Sequence, residues 1–188
     1  MRRKRISKLV QALESWQESL THLGECIVQF QRIEDCLSAC IGRLIGRNRL
    51  VGEIVTAEMS YRAKVSVFGA LFQQKLDAET LPADVTELIQ RLHWAEEQRN
   101  TLAHSLWDAS EANPDSVRRE KKAIRKKVFS TTTEHLTPEE LEDLGRSFEG
   151  IITDLIFLTT EHFPNLGPIY PERARRKRSS STGQRKEK

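Results

Sequence analysis

Apolar residues recur every three or four positions through most of this 188-residue chain, and this spacing constrains the fold more than any other feature. One stretch places Ile27, Phe30, Leu37, Ile41 and Leu44 on a single helical face. An α-helix repeats every 3.6 residues, so residues spaced in this way form an apolar stripe that another element must cover. Glycine and proline, which interrupt helices, are sparse. The sequence therefore predicts an all-α fold, a bundle of four to five helices.

The stripes divide the chain into five predicted helices, separated by segments that contain glycine or proline. Their approximate spans are 6–22, 25–47, 53–75, 83–110 and 138–163. Gly24 is expected to separate the first two. The last helix has a predicted N-cap at Thr137, a proline at the first helical position and Glu140 in the capping-box position.

The segment before the last helix, "VRREKKAIRKKVFSTTTEHL", is basic at first and then rich in Val, Phe and Thr. Valine, phenylalanine and threonine favour extended structure, so we predict a short hairpin or an extended arm here.

Three charged residues lie inside otherwise apolar stripes: Glu34, Lys64 and Arg99. An unpaired buried charge is costly, so each residue needs a partner or a place at the rim of a cavity. Glu34 and Lys64 are candidates for a supporting ion pair. The sharper hypothesis joins the Glu34 carboxylate to the Arg99 guanidinium and lets the flexible Lys64 side chain extend outward. The alternative is that Glu34 and Arg99 lie at the edge of a broad helix face.

The net charge of +3 conceals an uneven distribution. Residues 1–8 carry five positive charges and no acid, and residues 171–188 carry eight positive charges and two acids. The rest of the chain is therefore acidic. Such basic ends either increase solubility or attract phosphate groups. If RNA binds the tail, the basic residues available to it are Arg173, Arg175, Arg176, Lys177 and Arg178.

The compartment predicted for this chain is the cytoplasm. Gln11, Glu14 and Gln17 interrupt the apolar region that a signal peptide would need, and no stretch reaches the length of a membrane span. Three cysteines, an odd number, are typical of reduced thiols. Cys36 and Cys40 are expected to be small buried side chains rather than metal ligands. We predict no metal and no cofactor.

The stretch "RNTLAH", Arg99 to His104, resembles the R-x4-6-H motif of the HEPN superfamily, with a polar Asn100 directly after the arginine. "FQRIEDCL", "EMSYRAKVSVFGALF" and "TPEELEDLGRSFEGIITDLIFL" resemble other helices of that family. The likeness divides the chain into a basic N-terminal segment with a first helix (1–24), a HEPN-like helical domain (25–163) and a basic tail predicted to be disordered (164–188).

The resemblance implies a helical bundle that dimerises, so that two motif helices meet at a cleft. Many members of the family are metal-independent ribonucleases of toxin–antitoxin or phage-defence systems, restrained by an antitoxin or regulatory partner. In such an enzyme the 2′-hydroxyl of RNA attacks the adjacent phosphate. Arg99 would then stabilise the phosphate charge, His104 would transfer protons, and Asn100 would orient His104 or bind phosphate.

Two other functions compete with this one. Other members of the family have lost catalysis, so the chain is alternatively a dimeric interaction module in which Arg99 and His104 only hold helices together. DNA binding through the basic ends ranks last, because the sequence offers no recognition helix.

Overall fold

The computed structural model describes residues 2–46, 49–125 and 128–170. Within these ranges the chain forms five α-helices and one three-stranded antiparallel sheet. The helices are α1 (Arg2–Leu44), α2 (Arg49–Thr56), α3 (Tyr61–Leu76), α4 (Ala83–Ala103) and α5 (Pro138–His162). The strands are β1 (Leu106–Ala109), β2 (Val117–Arg125) and β3 (Val128–Leu136), in the order β1-β2-β3. The predicted all-α fold is confirmed in part: the described chain is mostly helical, but it also contains a three-stranded sheet. The predicted hairpin is present as β2 and β3.

Helix α1 is 43 residues long and runs without interruption through Gly24, so the predicted separation of two helices at this glycine is wrong. A glycine inside a helix costs about 1 kcal/mol relative to alanine, which tertiary packing can outweigh. That packing is present on both sides of Gly24, because Ser19 and Cys26 are both fully buried. The domain boundary placed at residue 24 falls inside this helix.

The predicted third helix, 53–75, is also wrong, because it is two helices. Helix α2 ends at Thr56, and α3 begins after Ser60, whose side chain accepts a hydrogen bond from the Ala63 backbone amide at 3.3 Å. Helix α2 packs closely on α1: a Cβ atom added at Gly52 would lie only 2.5 Å from the Ser38 carbonyl oxygen. Only glycine permits this approach of the two backbones.

Helix α4 ends at Ala103 rather than near Ser110, as predicted, because the chain then pairs with β2 as strand β1. The Trp107 indole nitrogen donates a hydrogen bond to the Leu102 carbonyl oxygen at 3.0 Å, which satisfies one of the last carbonyl groups of α4. The predicted start of the last helix is confirmed. Thr137 and Glu140 form the reciprocal hydrogen bonds of a capping box, at 3.3 and 2.8 Å.

The core lies between the C-terminal half of α1 and helices α3, α4 and α5. Its largest fully buried side chains include four phenylalanines, Phe30, Phe68, Phe72 and Phe148. The three cysteines are buried and form no disulfide with one another, in agreement with the prediction of small buried side chains. Among the helices in the described ranges, none combines the length and the apolar character that crossing a bilayer requires.

Candidate functional site at the end of α4

Arg99, Asn100 and His104 lie on the last turn of α4 and at its C-cap. Arg99 and Asn100 are within the helix, and His104 is the residue at which it ends. The His104 backbone amide still donates to the Asn100 carbonyl oxygen at 3.0 Å, so the helical turn continues to this residue. Five residues at 100° each separate the Arg99 and His104 directions by about 140° around the axis. The two side chains therefore diverge.

Arg99 points toward the core. Its guanidinium carbon lies 4.7 Å from the centroid of the Phe30 ring, which is the geometry of a cation–π contact. The Arg99 Nε atom is buried and has no hydrogen-bond partner in the structure. Phe30 therefore orients the guanidinium through the face of its ring, and at least one N–H donor is left unsatisfied.

The predicted pairing of Glu34 with Arg99 is wrong. Within the described ranges, the cation bound to Glu34 is Lys64, whose Nζ atom lies 2.8 Å from Oε1 of the carboxylate. The expectation that Lys64 extends outward is wrong as well, because this residue is buried. The packing of α3 against α1 explains this pairing, because it brings Lys64 directly opposite Glu34. The structure thus brings Glu34 and Lys64 together and leaves Arg99 out of the ion pair.

Glu96, a carboxylate of α4 three residues before Arg99, is also paired. Glu96 accepts a hydrogen bond from the Arg62 guanidinium at 2.7 Å. Tyr61 lies between these charges, and burial, reinforced by Glu96 and Glu34, raises the pKa of its hydroxyl above the ordinary range, while Arg99 lowers it. Glu34 and Glu96 are therefore paired with cations other than Arg99, and the salt bridges of the described residues include none from Arg99.

His104 and Asn100 are open to solvent to different degrees. The His104 side chain is exposed, and that of Asn100 is partly buried. The side-chain hydrogen bonds of the described ranges include none from Asn100 or His104. Histidine is the side chain that most often serves as a general acid or base, which is the chemistry that RNA cleavage by its own 2′-hydroxyl needs.

A further cation at this end of α4 was not predicted. The Lys121 ammonium of β2 donates a hydrogen bond to the Thr101 hydroxyl at 3.2 Å. The sequence shows a basic run at residues 118–127, but it does not show which of these residues reaches α4. The register of the hairpin brings Lys121 there.

The tail residues that were predicted as RNA contacts fall outside the described residues: Arg173, Arg175, Arg176, Lys177 and Arg178. Within the described ranges, no group of three or more His, Cys, Asp or Glu side chains converges as metal ligands would. Comparisons with protein-family models, with curated proteins and with solved structures give no match to this chain.

Proposed function

We propose that this chain is a metal-independent endoribonuclease that cleaves RNA by attack of the 2′-hydroxyl, acts as a homodimer of HEPN type in the cytoplasm, and is restrained by a partner protein. The observation that carries the proposal is that Arg99 forms no salt bridge within the described residues, whereas Glu34 and Glu96 are paired with Lys64 and Arg62. A permanent cation without an ion pair, five residues before an exposed imidazole, supplies the two groups that this reaction needs.

The divergence of the two side chains favours a site shared between two chains. Because Arg99 and His104 point about 140° apart on one helix, one chain does not surround a single phosphate with both groups. Two chains related by a twofold axis would place the Arg99 of one near the His104 of the other.

The test is cleavage of RNA by the purified full chain, compared with His104→Ala. We expect the substitution to slow cleavage by about 10²–10⁴-fold, the usual contribution of general acid–base catalysis, without changing the circular dichroism spectrum. His93→Ala, which removes a partly exposed histidine of the same helix, is the matched control and should cleave normally. Undiminished cleavage by His104→Ala would eliminate the catalytic role.

Subunit mixing tests the shared site. Arg99→Gln and His104→Ala should each be inactive alone, and mixing them should restore part of the activity, because a mixed dimer keeps one intact Arg99 and one intact His104 on opposite chains. Absence of any restoration, with exchange verified by mass, would exclude the shared site.

A second function, a non-catalytic interaction module, is favoured by one observation: the Arg99 guanidinium packs on Phe30 with its Nε buried. Arg99→Met separates the two. If Arg99 serves packing alone, methionine loses a contact worth about 0.5–2 kcal/mol and removes an unsatisfied donor that costs about 1–3 kcal/mol, so stability stays or rises and binding of the partner persists. If Arg99 stabilises a phosphate, the same substitution abolishes cleavage.

A further inference from the structure

The hairpin of β2 and β3 carries a dense run of positive charge. Residues 118–127 contain seven lysines and arginines and a single acid, Glu120. Strand β1 pairs with β2 only as far as Glu120, so beyond that residue the described part of the hairpin is a two-stranded ribbon. We call the two described strands, residues 117–125 and 128–136, the ribbon.

Most of the positive charge near the base of the ribbon is compensated by acids. Arg118 pairs with Asp108 at 3.0 Å, Arg119 with Glu134, and Lys122 with Glu120 at 3.4 Å. Of the four basic side chains of β2 that the structure describes, Lys121 is the one without a carboxylate partner. Its hydrogen bond to the Thr101 hydroxyl orients the ammonium group but does not neutralise it.

Lys121 lies on the His104 side of α4. Residues three apart on a helix are neighbours on its surface, so Thr101, which binds Lys121, adjoins His104. Arg99 is two residues before Thr101, about 200° away around the axis, and faces Phe30. Within one chain, the cation beside the exposed imidazole is therefore Lys121 rather than Arg99.

We propose that Lys121 binds a phosphate of single-stranded RNA next to His104 and that the ribbon guides the strand to this site. The inference rests on the proposed ribonuclease function for its purpose, but binding is measured without cleavage. Phe129 is the reason for proposing single-stranded RNA rather than another polyanion as the ligand. This aromatic side chain lies near the tip of the ribbon with 62% of its surface exposed, as a ring on which a base can stack.

The experiment measures binding of a fluorescent single-stranded RNA by anisotropy over a series of salt concentrations, with His104→Ala in every protein so that the RNA stays intact. Lys121→Gln should weaken binding and reduce the slope of log K against log salt by about 0.7, the value for one phosphate contact on a single strand. Lys75→Gln, which removes an exposed charge from α3, is the matched control and should leave both quantities unchanged.

Phe129→Ala distinguishes RNA from other polyanions. It should weaken binding of the RNA by roughly tenfold, from the loss of one stacked base, and leave binding of heparin unchanged. The inference is overturned if Lys121→Gln behaves like Lys75→Gln, or if Phe129→Ala affects RNA and heparin equally. These results do not depend on cleavage, so a chain that binds RNA through Lys121 but never cuts it would refute the proposed function alone.

Discussion

The ion pair of Lys64 and Glu34 should contribute strongly to stability. Only 9% of the Lys64 side chain and 27% of the Glu34 side chain are exposed, and their charged atoms are 2.8 Å apart. Removing one partner of a fully buried pair costs about 3–5 kcal/mol, because the other charge is left without compensation. Glu34 retains some contact with water, so we expect Lys64→Met to lower the free energy of unfolding by roughly 2–3 kcal/mol.

Urea denaturation followed by circular dichroism measures this loss. Methionine keeps the length and apolar character of the lysine stem, so the change isolates the charge. Arg146→Met is the matched control: Arg146 pairs with Glu142, but 62% of its side chain is exposed, and surface pairs are worth at most about 1 kcal/mol.

A double substitution measures the coupling free energy between Lys64 and Glu34. Glu34→Gln together with Lys64→Met removes both charges, so its loss should be smaller than the sum of the single losses, with a coupling of about 1–2 kcal/mol. If Lys64→Met costs no more than Arg146→Met, or if the single losses add, the argument that this pair is desolvated is wrong.

Further predictions concern packing, capping and pH. Gly52→Ala should destabilise by about 1–3 kcal/mol, because its Cβ would overlap the α1 backbone, whereas Gly24→Ala, with nothing within 4 Å, should stabilise by about 0.5–1 kcal/mol in the same urea assay. Thr137→Ala should lower the unfolding midpoint through loss of about 1 kcal/mol of N-capping. Burial raises the pKa of the Cys26 thiol to about 11 and also raises that of Tyr61, so both stay protonated in the folded chain at pH values where they ionise on unfolding. The free energy of unfolding should therefore fall as pH rises above about 9, the ordinary value for a thiol, and Tyr61→Phe should reduce the fall above pH 10.

Local signals in the sequence predicted local structure well. The start of α5 depends on Thr137 and Glu140, which are close in sequence, so the capping box could be recognised directly. The end of α4 could not, because the segment after Ala103 has helical spacing and becomes a strand only where β2 offers a hydrogen-bonded partner. The predicted helix break at Gly24 was wrong for a similar reason. The cost of the glycine is local, whereas the packing of α1 comes from helices and strands that are distant in sequence.

In the candidate site as well, local features could be predicted from the sequence and long-range contacts could not. An apolar stripe interrupted by Glu34 indicates that the carboxylate needs a cation, and it does so from sequence alone. Which cation binds it depends on how the helices pack, and the α1–α3 contact selects Lys64 over Arg99. The contact of Lys121 with Thr101 could not be predicted from the sequence, because it depends on the register of the hairpin.

The distribution of charge at the end of α4 argues against a purely structural motif. Stability alone would favour an apolar side chain over Arg99, since its buried Nε lacks an acceptor and no carboxylate in the described ranges compensates its charge. Lys121 is likewise the uncompensated cation among the described side chains of β2. Features that cost free energy persist where the group is used by a ligand, and two cations without carboxylate partners, Lys121 on the His104 side of α4 and Arg99 on the opposite side, fit an anionic ligand. A phosphate that reaches His104 from the Lys121 side and meets Arg99 from a second chain would satisfy both cations at once.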